Sequence, residues 1–223
     1  MRVFREGVHD LGVRTQPWTG SNHLSPGRYY NFRENPELIH TSLEDFLPFS
    51  DYAGVDKFYS LLEWLNGPES SFETNDSRLD PIFRNKQRDL ADRDYGAIFI
   101  LGFFFRDLTL NLSSDSPIWH ALYQSHKINA DEVRITPNDL YQNYITNFHK
   151  IVERSSGNSW PQIVGIGTGS TFYEAAPVPE VLKHGCQFFV RGWLWGNDRQ
   201  EIIGGLGNVS DILRIALVKS IPR

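Results

Sequence analysis

Seven histidines and one cysteine are the residues of this chain that could ligate a metal or act as a nucleophile. A metal site of the H-E-x-x-H type places two histidines at positions i and i+4 of a helix, and no histidine pair here has that spacing. Cys186 lies two residues after His184, but a catalytic thiolate needs a base that is close in space, which sequence proximity does not supply. The apolar residues 188–190 that follow favour a buried structural role for Cys186. The sequence therefore predicts no metal and no catalytic cysteine.

The glycine run Gly165-Ile-Gly-Thr-Gly-Ser170 is the second candidate for chemistry, because closely spaced glycines let the backbone approach a pyrophosphate. The dinucleotide fingerprint G-x-G-x-x-G requires glycine where Ser170 stands, and a helix should begin there. The residues that follow lead to Pro177 and do not resemble a helix start. The run predicts a glycine-rich hairpin and no nucleotide cofactor. The chain also lacks the Walker sequence and the G-x-S-x-G elbow of serine hydrolases.

Carboxylates are abundant, and their distribution is uneven. Residues 1–111 contain 12 Lys+Arg and 17 Asp+Glu, whereas residues 112–223 contain 10 of each. The excess of acidic residues is concentrated between Leu43 and Asp80. This segment contains nine acidic and two basic residues, a net charge of −7. Such a block is either a solvated helix face and loop, or a docking surface that attracts a basic partner.

Composition limits the remaining classes. With 223 residues and 40% hydrophobic residues, the chain can bury a core as one domain without disulfides. The net charge of −5 argues against binding or cutting nucleic acid, because an acidic protein repels phosphates. The longest apolar run, residues 96–105, is half the length of a membrane span of about 20 residues, and the N-terminus lacks a signal peptide. We therefore expect a cytoplasmic protein that does not contact the membrane.

Hydrophobic periodicity indicates the elements that must position any site. Apolar residues at i, i+3, i+4 and i+7 predict a helix over Val55–Leu65, and the same pattern predicts a second one from Thr136 to about Ser155. Ser116-Pro117 predicts a short helix through about His126, and Asp211–Val218 is either a helix capped by Ser210 or a strand. Glu69–Asp94 is predicted as a long loop, and residues 1–50 as irregular. The predicted strands are Tyr95–Phe105, Arg106–Leu112, Gln162–Ile166, Thr171–Glu174, Gln187–Trp195 and Gln200–Ile203. Together these indicate a single α+β domain over residues 1–223, with a mainly antiparallel sheet and three or four helices.

Two segments carry a resemblance to a known group of proteins. The stretch from Ser60 to Asp76, SLLEWLNGPESSFETND, and the stretch from Phe188 to Trp195, FFVRGWLW, resemble bacterial polymorphic-toxin immunity proteins. These are single-domain α+β proteins that pair with toxins of restriction-endonuclease fold, including type VI secretion DNase effectors. The resemblance implies a cytoplasmic inhibitor with no catalysis and no cofactor, whose partner is a cognate toxin that is basic because it binds DNA.

A partner of that kind makes the acidic segment the expected contact surface. The predicted partner-binding residues are five acids and one aromatic anchor: Glu63, Glu69, Phe72, Glu73, Asp76 and Asp80. The sequence does not distinguish two modes of inhibition. The inhibitor could occlude the toxin's active site, or it could block the toxin's motion or self-assembly.

Two other functions are compatible with the sequence. A carboxylate-based hydrolase acting on carbohydrate or another small polar substrate would place two acids together in an aromatic-lined pocket, and six Trp and nine Tyr supply aromatic residues for it. An oligomeric accessory protein would instead use its aromatic residues at a self-interface and would expose a large apolar patch.

Overall fold

The apolar run at residues 96–105 lies in the strand Tyr95–Phe105, as the sequence predicts. The computed structural model describes residues 2–7, 13–16, 32–33, 35–41, 49–86, 91–105, 110–112, 139–155, 163–175 and 178–220. The strands are β1 (Arg2–Gly7), β2 (Val13–Gln16), β3 (Phe72–Leu79), β4 (Phe83–Arg84), β5 (Tyr95–Phe105), β6 (Leu110–Leu112), β7 (Ile163–Ala175) and β8 (Val178–Gly196). The helices are α1 (Leu38–Thr41), α2 (Ala53–Asn66), α3 (Asp139–Ser155) and α4 (Arg199–Ser220).

The strands form one mixed sheet with the order β1-β7-β8-β5-β3. The short strands extend this order: β2 also pairs with β7, β6 with β8 and β4 with β5. β1 and β2 run parallel to β7, and the other described pairs are antiparallel. The predicted α+β class is therefore confirmed, and the sheet is antiparallel except at the edge formed by β1 and β2.

The three long helices cover one face of this sheet. α2 lies over β3, α4 over β5 and β8, and α3 beside β1, so that α4 packs between α2 and α3. Alternate residues of β5 point into this layer, and Phe99 and Phe103 are fully buried there, whereas Ile98 and Ile100 lie half-buried on the opposite face. Phe103 stacks on Phe188 of β8 with ring centroids 5.2 Å apart. The core thus lies between the sheet and the helices.

α2 and α4 run in the same direction and approach very closely. Gly54 near the start of α2 lies against the backbone of Ile203, and Gly207 one turn later lies against Gly54. Further along, Lys57 of α2 forms an ion pair with Asp211 of α4. Backbones can approach this closely only where side chains are absent, so the glycines determine how the two helices pack.

The prediction of a long loop over Glu69–Asp94 is wrong, because this segment contains β3 and β4. β3 is an edge strand with a bulge between Thr74 and Ser77, where one extra residue shifts the register against β5. The bulge reverses the alternation, so Phe72 and Thr74 are buried before it, and Ser77 and Leu79 after it. Two of the four buried positions carry polar residues, and the alternation reverses at the bulge. The sequence of β3 therefore lacks the alternating pattern typical of a strand.

The C-terminal third also differs from the prediction. The predicted strands Gln162–Ile166 and Thr171–Glu174 are one strand, β7, and the glycine run lies inside it rather than in a hairpin turn. The predicted strand Gln200–Ile203 is wrong, because these residues form the first turns of α4. The ambiguous segment Asp211–Val218 is helical, but its helix begins at Arg199 and not at Ser210.

Several predicted elements are confirmed. α2 includes the helix predicted over Val55–Leu65, and β8 includes the predicted strand Gln187–Trp195. The second predicted helix is confirmed from Asp139 to Ser155, and its first residues, 136–138, lie outside the described residues. The prediction that residues 1–50 are irregular is wrong where β1, β2 and α1 lie. The predicted helix from Ser116 to about His126 lies outside the described residues, as does the beginning of the predicted strand Arg106–Leu112.

Candidate functional site

α2 presents an acidic stripe to solvent. One side of the helix is anchored in the core by buried residues that include Phe58 and Leu62. On the other side Asp56, Ser60 and Glu63 are exposed at positions i, i+4 and i+7, so they lie along one line. Two helical turns separate the two carboxylate-bearing residues, a rise of about 10 Å. The stripe is therefore held on a rigid element.

Two further exposed acids flank α2 along the chain. Asp51 lies just before the helix, and Glu69 lies in the turn that follows it. We call Asp51, Asp56, Glu63 and Glu69 the α2 acidic surface. Asp56 also lies in the first turn of α2, where a negative charge interacts favourably with the helix dipole.

Two basic groups beside α2, His40 and Lys57, are engaged with acids. Glu63 accepts a hydrogen bond from the His40 ring, with 2.7 Å between Oε1 and Nε2, and this ring packs edge-on against Tyr59. Lys57, the basic residue of α2, forms its ion pair with Asp211 of α4. Burial raises the pKa of the Tyr59 phenol, and the Asp56 carboxylate raises this pKa further. The surface therefore keeps a negative character.

The junction between α2 and β3 is fixed by the buried side chain of Asn66. Its Nδ2 donates to the carbonyl of Leu62 at 2.8 Å and to Thr74 Oγ1 at 2.9 Å, and its Oδ1 accepts from the Thr74 N–H at 3.1 Å. The Phe72 N–H donates to Ser70 Oγ at 3.1 Å. These bonds attach the start of β3 to the end of α2 and hold Glu69 between them.

α2 ends at Asn66, one residue beyond the predicted end at Leu65. The Gly67 N–H donates to the Trp64 carbonyl at 3.2 Å, and Gly67 itself is extended, with φ −62° and ψ 159°. A residue before proline avoids the helical region, so Pro68 explains this conformation. The chain is thereby directed into the turn that contains Glu69.

The structure divides the six predicted partner-binding residues. Glu63 and Glu69 are exposed and belong to the α2 acidic surface. Glu73 alternates with the buried Phe72, so it lies half-buried on the sheet face that the helices do not cover. Asp76 lies at the bulge of β3, and Asp80 lies at the end of this strand.

The predicted acids of β3 are too far apart to form one cluster. Glu73 pairs with Phe104, whereas the Asp80 N–H donates to the carbonyl of Ile98 at 2.7 Å. The separation of six positions between Ile98 and Phe104 along β5 corresponds to about 20 Å. A strand, rather than the long loop that the sequence predicted, spreads these acids along one edge of the sheet.

The prediction of Phe72 as a partner-binding anchor is wrong. Its side chain is 0% exposed and contacts the rings of Phe103, Tyr144 and Trp64. Phe72 is the inward-pointing residue at the start of an edge strand, and its apolar ring completes the core there. A partner cannot contact it in this fold.

Sequence reasoning counted Asp51 and Asp56 among the acids of this segment but did not select them as partner-binding residues. The spacing of seven between Asp56 and Glu63 is the signal that would have identified the first of these, because it places both on one helix face. Asp51 carries no such signal, since it precedes the helix.

The described residues also form a cavity of about 430 Å³, where β4, the start of β5 and the start of α4 meet. Its lining contains one acid, Asp198, whose Oδ1 accepts a hydrogen bond from the Glu201 N–H at 2.9 Å. The hydrolase alternative requires two converging acids, and this cavity does not supply them. Among the described residues, no group of three or more His, Cys, Asp or Glu side chains could hold a metal ion.

Comparisons with known proteins do not assign a family. Matching against protein-family models, against curated proteins and against solved structures gives no significant match in any of the three. In the part of the chain that the structure describes, no helix has the length and apolar character needed to cross a membrane.

Proposed function

We propose that this chain is an immunity protein, which binds and neutralises a cognate nuclease-type toxin in the cytoplasm. The α2 acidic surface is the contact region, and inhibition requires no catalysis by this chain. The observation that carries the proposal is the line of exposed carboxylates on a helix whose opposite side is fixed in the core. Residues 60–76, which resemble immunity proteins, include the second half of α2 and the junction with β3.

The electrostatic role follows from the chemistry of the partner. A nuclease binds phosphates through basic residues, and its basic face is complementary to the carboxylates of the α2 acidic surface. Charge complementarity of this kind mainly accelerates association and excludes wrong partners. Association should therefore slow as salt is added, because exposed charges are screened beyond about 8 Å at physiological ionic strength.

An aromatic contact next to the acids would supply much of the affinity. Trp64 is half-buried on α2, directly after Glu63 and four residues after Ser60. Tryptophan is enriched among the residues that dominate binding energy, because it buries a large rigid surface. Trp64 takes the role that the sequence assigned to Phe72.

The function is tested by expressing the gene together with each adjacent gene. The proposal expects one neighbour to arrest growth when expressed alone, and growth to recover when this chain is present. The two products should then co-purify, and the pair should separate more readily at high salt. If neither neighbour is toxic, or if a toxic neighbour remains toxic in the presence of this chain, the immunity function is wrong.

A further inference from the structure

The cavity near the start of α4 combines basic and aromatic groups. Arg84 of β4 pairs in register with Tyr95 at the start of β5, and Tyr95 pairs with Gly196 at the end of β8. The turn after Gly196 contributes residues 197–199, and Ile82 completes the lining. We call this cavity of about 430 Å³ the β4–α4 pocket. Its volume lies within the range of roughly 300–1,000 Å³ that is usual for small-molecule sites.

The carboxylates around the β4–α4 pocket are already engaged. Asp198 caps α4 through the bond from the Glu201 N–H. Glu201 in turn accepts a hydrogen bond from the Asn197 N–H at 2.9 Å and lies 3.7 Å from Arg93 Nε. Because Asp198 serves as the cap, the pocket does not depend on free amides at the end of the helix.

The two arginines of the pocket form no ion pair with a carboxylate among the described residues. Arg84 and Arg199 are both exposed, and neither has a carboxylate within ion-pair distance among the described residues. The Arg199 guanidinium lies over the ring of Phe49, 5.9 Å from its centroid, which orients the group while its N–H donors stay available. Two cationic groups in one cavity stand out in a chain with a net charge of −5.

The other lining residues indicate which chemical group of a ligand would lie next to its anionic group. Tyr95 is 37% exposed and presents an aromatic surface, and Ile82 is half-buried beside it. A guanidinium binds phosphate through two parallel N–H donors, and two guanidiniums favour a dianion over a single carboxylate. A planar ring can stack on the phenol while the phosphate meets the arginines.

We propose that the β4–α4 pocket binds a small organic phosphate of nucleotide size, with its phosphate on Arg84 and Arg199 and its ring against Tyr95. This site is independent of the proposed function, because none of its lining residues belongs to the α2 acidic surface.

The test is a calorimetric titration of the full chain with 5′-AMP, adenosine and inorganic phosphate as separate probes. The proposal expects 5′-AMP to bind at least about tenfold more tightly than either of the other two, because both halves of the pocket contribute. Equal binding of inorganic phosphate would overturn the role of the ring, and equal binding of adenosine would overturn the role of the arginines. Absence of binding at millimolar 5′-AMP would overturn the site.

Variants locate the site on the protein. Arg84→Gln and Arg199→Gln should each weaken 5′-AMP binding about tenfold, as expected for loss of a hydrogen bond to a charged group. Arg214→Gln removes the same charge from an exposed position of α4 and should leave binding unchanged. It lies 15 residues further along the helix, or about 22 Å. Equal effects of all three variants would show only a general response to net charge and would overturn the assignment.

Discussion

Replacing Gly54 with alanine should destabilise the protein by forcing α2 away from α4. A Cβ atom built at this position lies 1.9 Å from the carbonyl oxygen of Ile203 and 2.7 Å from the carbonyl carbon. The obstacle is backbone and cannot rotate away, so the helices must separate by more than 1 Å in a layer that is packed against the sheet. Overpacking of this kind costs roughly 1–3 kcal/mol, and a backbone obstacle places the cost near the upper end.

Helix propensity opposes this cost only in part. Alanine in a helix interior is favoured over glycine by about 1 kcal/mol, and Gly54 lies in the first turn, where the gain is smaller. We therefore expect Gly54→Ala to lower the free energy of unfolding by about 2 kcal/mol. For a chain of this length that corresponds to a melting temperature roughly 4–8 °C lower.

A glycine of α4 provides the matched control. A Cβ atom at Gly204 has no neighbour within 4 Å, so Gly204→Ala should gain stability, by about 0.5–1 kcal/mol. Urea denaturation followed by circular dichroism measures both variants against the parent chain. The reasoning is refuted if Gly54→Ala is as stable as the parent, or if Gly204→Ala loses as much stability as Gly54→Ala does.

Three other perturbations test the core, the α2–β3 junction and a buried phenol. Gly192→Ala places a Cβ atom 1.7 Å from the Phe99 ring and should cost about 2–3 kcal/mol, and a double-mutant cycle with Phe99→Leu should show less than additive loss. Asn66→Ala leaves the buried Thr74 N–H without its acceptor and should cost about 2–3 kcal/mol in urea denaturation, whereas Thr74→Val keeps that bond and should cost about 1 kcal/mol; equal losses would contradict this. Burial raises the pKa of Tyr144, so the unfolded chain loses this proton first, and the stability present below about pH 10 is lost as the pH rises further. Tyr144→Phe should therefore reduce the decline in melting temperature above pH 10, and an unchanged decline would contradict the assignment.

The elements with regular periodicity were predictable from the sequence. α2 and α3 show apolar residues on one side at helical spacing, and β5 is a continuous apolar strand with neighbours on both sides. In these elements burial alone sets the pattern of residue types, so the pattern identifies the element.

β3 and α4 are two of the elements that the sequence did not reveal, because packing overrides local preference in both. β3 is an edge strand with a bulge and with polar residues at two of its buried positions, so its sequence reads as a loop. α4 contains Gly204-Gly-Leu-Gly207, a pattern typical of a turn. Gly207 lies where α4 meets α2, and there the close contact outweighs the low helix propensity of glycine.

The candidate site was predictable in part for the same reasons. The charge count identified the acidic segment, and the structure places Glu63 and Glu69 at exposed positions. The inward position of Phe72 and the distance between Glu73 and Asp80 depend on the pairing of β3 with β5. This pairing joins segments that are distant in the sequence, so it cannot be predicted from the local sequence.

The proposed role of the α2 acidic surface is tested most directly by a matched pair of charge reversals, with the association rate of the proposed toxin partner as the readout. Glu63→Lys changes the stripe, and Glu153→Lys makes the same change on α3; each glutamate is exposed and lies beside a histidine. We expect Glu63→Lys to slow association about tenfold at low salt, with a smaller effect as salt is added, and Glu153→Lys to leave the rate close to that of the parent chain. Equal rates for the two variants would contradict the proposal that α2 carries the partner-binding surface.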